Sequence, residues 1–167
     1  MDAAVSAARE KLKNVTPLKR DCGCVCGARC CRSPEGEETG MLLFPGEAEA
    51  YAGKAGFEIR KTTRGDLLFC SGTCDRDDRP LSCRLFPLLP VIGDDGEVRA
   101  VTDQRARAVC PLARQGKSAM DPAFAEAVRE AGQILAAEEE QAVFLDMLEE
   151  EQNELKRLRD KFTIHRS

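Results

Sequence analysis

Two hydrophobic periods run through this chain, and the changes between them mark its elements. In "DAAVSAAREKLK" (2–13), Val5, Ala8 and Leu12 recur at steps of three and four, which predicts a short helix, ended before Pro17 and packed on the domain. "SPEGEETG" (33–40) is turn chemistry throughout. "MLLF" then predicts a brief strand at 41–44, followed by a helix near 46–54. Phe57 and Ile59 alternate with charged neighbours, Arg64-Gly65-Asp66 turns, and Leu67 to Cys70 returns, so a hairpin is expected there. Pro80 suits the first turn of a short helix carrying Cys83 and Phe86. "LLPVIGDDGEVRAV" predicts a second hairpin around Gly93-Asp94-Asp95-Gly96, with a return strand leading towards Cys110.

From residue 121 the period becomes helical and stays so to about 161. Asp121 followed by Pro122 is a strong start, because Asp accepts from the free N–H groups and Pro lacks a donor that would go unpaired. Phe124, Val128, Ala131 and Leu135 form one apolar stripe; Phe144, Leu148, Leu155, Leu158 and Phe162 form another, out of phase with the first. The nine-residue step between the stripes implies two helices, or one broken near 138–141. No internal repeat is evident.

At 167 residues the chain is long enough for one domain with an ordinary core and short for two. The expected fold is α+β: a small, irregular, cysteine-rich domain with short β-hairpins, metal-centred, over residues 1–120. An acidic helical segment, 121–167, packs on it and closes it. Aromatics are only 5% of residues, with no Trp and one Tyr, so large core anchors are scarce and something else must help hold the first half. The net charge of −4 hides an asymmetry: residues 1–32 carry seven bases against three acids, and 121–167 twelve acids against six bases. Mutual attraction of the two ends is the plain reading. Without a Lys/Arg run interleaved with aromatics, composition argues against nucleic acid as a partner. No apolar run suits a signal peptide or a membrane span, so a soluble, cytoplasmic protein is expected.

Nine cysteines fall at 22, 24, 26, 30, 31, 70, 74, 83 and 110, none of them in the acidic helices. In a reducing compartment such a set points to a metal site rather than to disulfides, and nine is odd. Adjacent Cys30 and Cys31 are also poor disulfide partners for each other, because neighbouring Cα atoms lie about 3.8 Å apart, shorter than the usual bridging range of roughly 4.4 to 6.8 Å. Cys22, Cys26 and Cys30 step by four, and Cys70 and Cys74 repeat the step. Zinc and a cubane iron–sulfur cluster each take four thiolates, so the inventory fills two such sites with one residue left over, or one site plus structural thiols. Arginines lie close by: Arg29, Arg32, Arg79 and Arg84 are candidate N–H donors to the sulfurs of a negatively charged centre. His165, near the chain end, reads as a solvated residue rather than a ligand.

"CVCGARCC" and "FCSGTCDRDDRPLSCRLFPL" together resemble the zinc- or iron-chelating cysteine-cluster family, whose signature is C-x2-C-x3-C-C with an "RPxxCRxFP"-like segment downstream. Cys26, Cys30 and Cys31 match the first part; Arg79, Pro80, Cys83, Arg84, Phe86 and Pro87 match the second; Cys110 in "VCPL" resembles the last cysteine. The resemblance covers roughly 19–112. The first family cysteine would fall on Gly23, where this chain instead offers Cys22 and Cys24; the four-residue step to Cys26 favours Cys22. What the resemblance implies is a zinc or iron–sulfur centre on Cys22, Cys26, Cys30, Cys31, Cys70, Cys74, Cys83 and Cys110, with the reaction unspecified. Some larger proteins with the signature are flagellin lysine methylases, which brings iron–sulfur chemistry into view, but this chain shows no Gly-rich nucleotide loop.

Two other functions stand beside metal binding. One is an enzyme, metal- or cysteine-dependent, with Cys24 or Cys31 beside Arg29 and Arg32 as the reactive thiolate, although no Cys/His pair, Ser/His/Asp set or H-E-x-x-H motif accompanies it. The "DRDD" carboxylates Asp75, Asp77 and Asp78 read as turn chemistry before they read as ligands. The other is an adaptor, with the helices of 121–162 binding a protein partner.

Overall fold

The computed structural model describes residues 1–32, 40–72 and 74–164, the last two by backbone alone. Most of the "SPEGEETG" turn and His165 lie outside the described residues. The architecture is mixed α and β. Helix α1 (Ala3–Lys11) is capped by Asp2, whose carboxylate accepts from Val5 N at 3.0 Å. A single helical turn, α2 (Gly23–Cys26), precedes β1 (Met41–Leu42), β2 (Phe57–Thr62) and β3 (Gly65–Cys70), which form an antiparallel sheet in the order β1-β3-β2. Short α3 (Leu81–Leu85) leads into a separate antiparallel hairpin, β4 (Leu88–Ile92) and β5 (Val98–Thr102). Then come α4 (Ala106–Val109), α5 (Pro111–Gln115), α6 (Pro122–Ala136) and α7 (Glu139–Ile164).

The main core lies between α6 and the elements around it. Val5, Ala8 and Leu12 of α1, Leu81 and Leu85 of α3, Leu88 and Leu89 of β4, and Phe124, Val128, Ala131 and Leu135 of α6 share one buried cluster with Phe144, Leu145 and Leu148 of α7. Residues on both sides of position 120 thus belong to one core. Gly132 is what lets α6 lie so close to the β4–β5 hairpin: a Cβ there would meet Pro90 and come within 2.7 Å of Val98 Cγ1. A smaller cluster of Leu43, Tyr51 and Leu68 seals the other sheet.

Three local expectations change. The helix expected near 46–54 is only a 3-10 turn at Ala48–Ala50, flanked by Gly46 and Gly53 at positive φ. Its shape is set by Glu47, a fully buried carboxylate that accepts from Leu81 N at 2.7 Å, Arg9 at 2.8 Å and Phe44 N at 3.4 Å. The first hairpin turns one residue earlier than expected, at Thr63-Arg64, because Thr62 pairs with Gly65 and its hydroxyl donates to Gly65 O while accepting from Arg64 N. The second apolar stripe divides. Phe144 and Leu148 are core, whereas Leu155, Leu158 and Phe162 are exposed. The helical break falls at 137–138, between α6 and α7, and the Gly93–Gly96 hairpin turn forms where expected.

Candidate functional site

A cavity of about 420 Å³ opens between α2, the end of β3, α3 and the α4–α5 junction. Eight of the nine cysteines line it: Cys22, Cys26, Cys30, Cys31, Cys70, Cys74, Cys83 and Cys110. Cys24 does not, and is exposed. The reason is helical phase. Cys22 caps α2 and Cys26 ends it, so they share one face, whereas Cys24, two residues on, points to another side. The step of four separates Cys22 from Cys24 as an occupant of the cavity wall.

Each remaining thiol reaches the cavity by a different device. Gly27 and Ala28, at φ 67° and 53°, turn the chain in two consecutive left-handed residues into a 3-10 turn, Arg29–Cys31, that carries Cys30 and Cys31. Cys70 ends β3, and Gly72, at φ +83°, lets the following loop pass against that turn: a Cβ on Gly72 would stand 2.7 Å from Cys31 O. Cys74 follows in the same loop. Cys83 lies inside α3, and Cys110 is both the last cap of α4 and the first of α5. The apolar part of the wall includes Leu12, Pro17, Met41, Phe57, Phe86 and Leu112.

Burial is the main influence on three of these thiols. It raises Cys22, Cys74 and Cys83, and neighbouring thiols add to the rise. Those neighbours fall into two groups: Cys22 feels Cys26 and Cys110, whereas Cys74 and Cys83 feel Cys70 and Cys31. Cys30 and Cys31 join the groups, their sulfurs 4.0 Å apart. Within that pair Cys30 is raised, first by its hydrogen bond to Cys31 and then by burial. Cys31 is lowered to about 6 by the same bond, with help from Arg79 against the cost of burial.

The arginines divide by task. Burial works against the charge of Arg79, but Asp21, Cys74 and Cys31 hold its pKa above the ordinary value. Its Nε is buried on the cavity wall without a hydrogen-bond partner among the described residues. Arg84 also lines the cavity, yet its donors go to backbone: Nε to Arg79 O, and a terminal nitrogen to Arg76 O and Asp77 O, all at 3.0 Å. Arg29 borders the cavity and is exposed, and Arg32 is exposed and outside the wall. Two further arginines brace the same loops. Arg76 donates to Lys13 O and Val15 O, fixing the Cys74 loop to the end of α1, and Arg114 donates to Arg107 O and Ala108 O, closing the bend at Cys110.

All nine cysteines are free thiols. Among the described residues, no three Cys, His, Asp or Glu side chains are gathered closely enough to hold a metal ion as they stand, and no helix is long and apolar enough to cross a membrane. Fold and site together define a class: a mixed α and β protein with a thiol-lined cavity at the meeting of three loops and two short helices. Compared with known proteins, the chain matches no family model, no curated protein and no solved structure.

Proposed function

We propose that the cavity is the seat of zinc or of an iron–sulfur cluster, and that the protein is a small cytoplasmic metalloprotein of the cysteine-cluster kind its motif resembles. The observation that carries this reading is that thiols from distant stretches, 22–31, 70–74, 83 and 110, line one cavity. The donor set is all sulfur, which suits both metals. The unpartnered Nε–H of Arg79 suits them too, because a tetrathiolate centre leaves about two negative charges that need N–H donors. The grouping of the thiols favours two neighbouring sets, Cys22, Cys26, Cys30 and Cys110 beside Cys31, Cys70, Cys74 and Cys83. When bound, the group would supply cross-linking of the loops in either case and electron transfer if it is a cluster.

Anaerobic purification followed by a visible spectrum, metal content and acid-labile sulfide decides the matter. A brown protein with sulfide means a cluster, and a colourless one with stoichiometric zinc means the ion. Chelation should then speed amide exchange in 18–32 and 70–84 while leaving α6 protected. A protein that takes up neither metal nor sulfide, with all nine thiols freely titratable, overturns the reading.

A second reading rests on Cys31 alone: a thiol lowered to about 6, beside Arg79 in a partly apolar cavity, has the character of a nucleophile. Fast, selective alkylation of Cys31 at neutral pH in the metal-loaded protein would favour it. Protection of Cys31 by metal would favour the first.

A further inference from the structure

Leu155, Leu158 and Phe162 recur at steps of three and four on one side of α7 and are 38%, 44% and 72% exposed. Two turns earlier the same helix buries Phe144 and Leu148. The body of the domain runs out beneath α7 at Gln152, which accepts from Gln104 N at 2.6 Å, and at Arg159, which donates to Gln104 Oε1 at 2.7 Å. Beyond those ties the stripe belongs to neither hydrophobic cluster.

Charge along this overhang is segregated. Glu149, Glu150, Glu151 and Glu154 come first, Glu151 turned back to Arg64 and Arg105 of the domain; Lys156, Arg157, Arg159 and Lys161 follow, with Asp160, paired to Arg159, the single acid among them. A second such helix laid parallel would set acid against acid and base against base. Laid antiparallel, it sets each acidic half against the other's basic half. At 100° per residue, Glu154 and Lys161 lie one heptad apart on the flank of the stripe that faces away from Gln152 and Arg159. Neither makes an ion pair among the described residues.

We propose that this face docks a second copy of the same chain, antiparallel about a twofold axis near residues 156–157. Leu155 packs on the partner's Leu158, and Glu154 lies beside the partner's Lys161; the symmetry makes each contact twice. An apolar seam of little more than one heptad on each helix is well below a standard interface, so the dimer is reversible, with a dissociation constant on the order of 100 µM. The proposal is independent of what fills the cavity, because the stripe lies outside the cavity wall.

Sedimentation equilibrium on the full chain, from about 10 µM to about 1 mM, tests it. The unaltered protein should show a monomer–dimer equilibrium. Leu158→Asp should be monomeric throughout while keeping its helical circular dichroism; loss of that signal would put Leu158 in the core and overturn the proposal. Glu154→Lys and Lys161→Glu, each alone, should raise the dissociation constant roughly tenfold, since each sets like charges together twice. An equimolar mixture of these two variants should pair as well as the unaltered protein, because in an antiparallel pair each supplies the charge the other needs. A mixture no better than either variant alone would overturn the antiparallel arrangement, and a protein monomeric at every concentration would overturn the dimer itself.

Discussion

The back of this molecule and its thiol-lined front are built on different terms. Behind, α1, α3, α6, the β4–β5 hairpin and the first half of α7 bury side chains such as Val5, Leu81, Phe124, Val128 and Leu135 completely. In front, none of residues 18–32 is buried, although this stretch carries five of the nine cysteines. That stretch is held by its own backbone turns, and the loops that flank the cavity around it are braced by guanidinium groups donating to carbonyls, from Arg76, Arg84 and Arg114. Apolar burial stabilises whatever the solution contains, since it needs only water to exclude. A loop tied by exposed hydrogen bonds gains only about 1 kcal/mol from each, because water competes for the same groups. The lesson is that one half of the chain is held by apolar burial and the other by individual polar contacts.

Breaking the scaffold should have the largest effect. Phe124→Ala removes a fully buried ring from the centre of the main cluster and should cost about 4 kcal/mol, a large part of a domain's total stability, read as a lowered urea midpoint at unchanged slope. Amides of α1 and α3, which share that core, should exchange faster with it, whereas 18–32, which buries nothing there, should keep its own rates; faster exchange in 18–32 as well would show that the front opens only with the core.

The junction between the halves comes next. Arg9 joins α1 to Glu47, to the Tyr51 hydroxyl and to Asp77 O in the loop between Cys74 and Cys83. Burial raises the Glu47 carboxyl, and the Leu81 N–H and Arg9 offset part of that rise. Arg9→Ala leaves this carboxylate buried without its cation and should cost about 3 kcal/mol. Loss should be greatest in the exchange protection of 76–85. A cost below about 0.5 kcal/mol would show that the backbone donors alone satisfy Glu47.

How far the two halves were legible in sequence follows the same divide. Helices that bury a stripe announce themselves: the Asp121-Pro122 start, the stripe from Phe124 to Leu135 and the break before α7 all follow from period and capping chemistry. Where polar contacts shape the chain, pattern is mute. The stretch 46–54 has helical composition, yet a buried carboxylate and two glycines keep it to one 3-10 turn. Arg84 sits beside Cys83 in sequence and is a candidate donor to sulfur; the fold commits its Nε and one terminal nitrogen to carbonyls, whereas the Nε of Arg79 is left open. Gly72 looks like any loop glycine until Cys31 O is found against it. Of the eight cysteines that line one cavity, four-residue steps linked Cys22, Cys26 and Cys30 to one another and Cys70 to Cys74; Cys83 and Cys110 were expected from the motif resemblance alone, because they arrive through tertiary packing, which spacing does not encode.

Tyr51 offers a smaller and pH-dependent probe of the junction. Burial raises its hydroxyl first, and with Arg9 and Glu47 beside it the result is a pKa of about 12, against about 10 for an unfolded tyrosine. A group raised in the folded state contributes its stability in full below the unfolded pKa and loses it as pH rises through the folded one. Stability should therefore fall by about 1–2 kcal/mol between pH 10 and pH 12 through this residue. Lysines and thiols titrate in the same range, so the measure is the difference from Tyr51→Phe, which should show a shallower decline. Parallel curves for the two proteins would remove Tyr51 from the junction.

The smallest expected effect separates the halves most cleanly. Ala28 is held at φ 53°, the left-handed region, with its N–H on Gly23 O and its carbonyl accepting from Cys31 N, both at 2.9 Å. An alanine there costs about 1 kcal/mol that a glycine does not, while glycine gives back part of this by loosening the unfolded chain. Ala28→Gly should therefore stabilise the turn between Cys26 and Cys30 by about 0.5 kcal/mol. Where that gain appears decides how the front is coupled to the back. If the turn opens by itself in the native protein, the gain shows as slower exchange at the Cys31 amide, with the urea midpoint unchanged. If the turn opens only when α6 does, the midpoint rises by the same amount and local exchange follows it. The arrangement of buried residues favours the first outcome, because nothing from 18 to 32 reaches the main core and opening this turn exposes no apolar surface that unfolding of α6 would have to share.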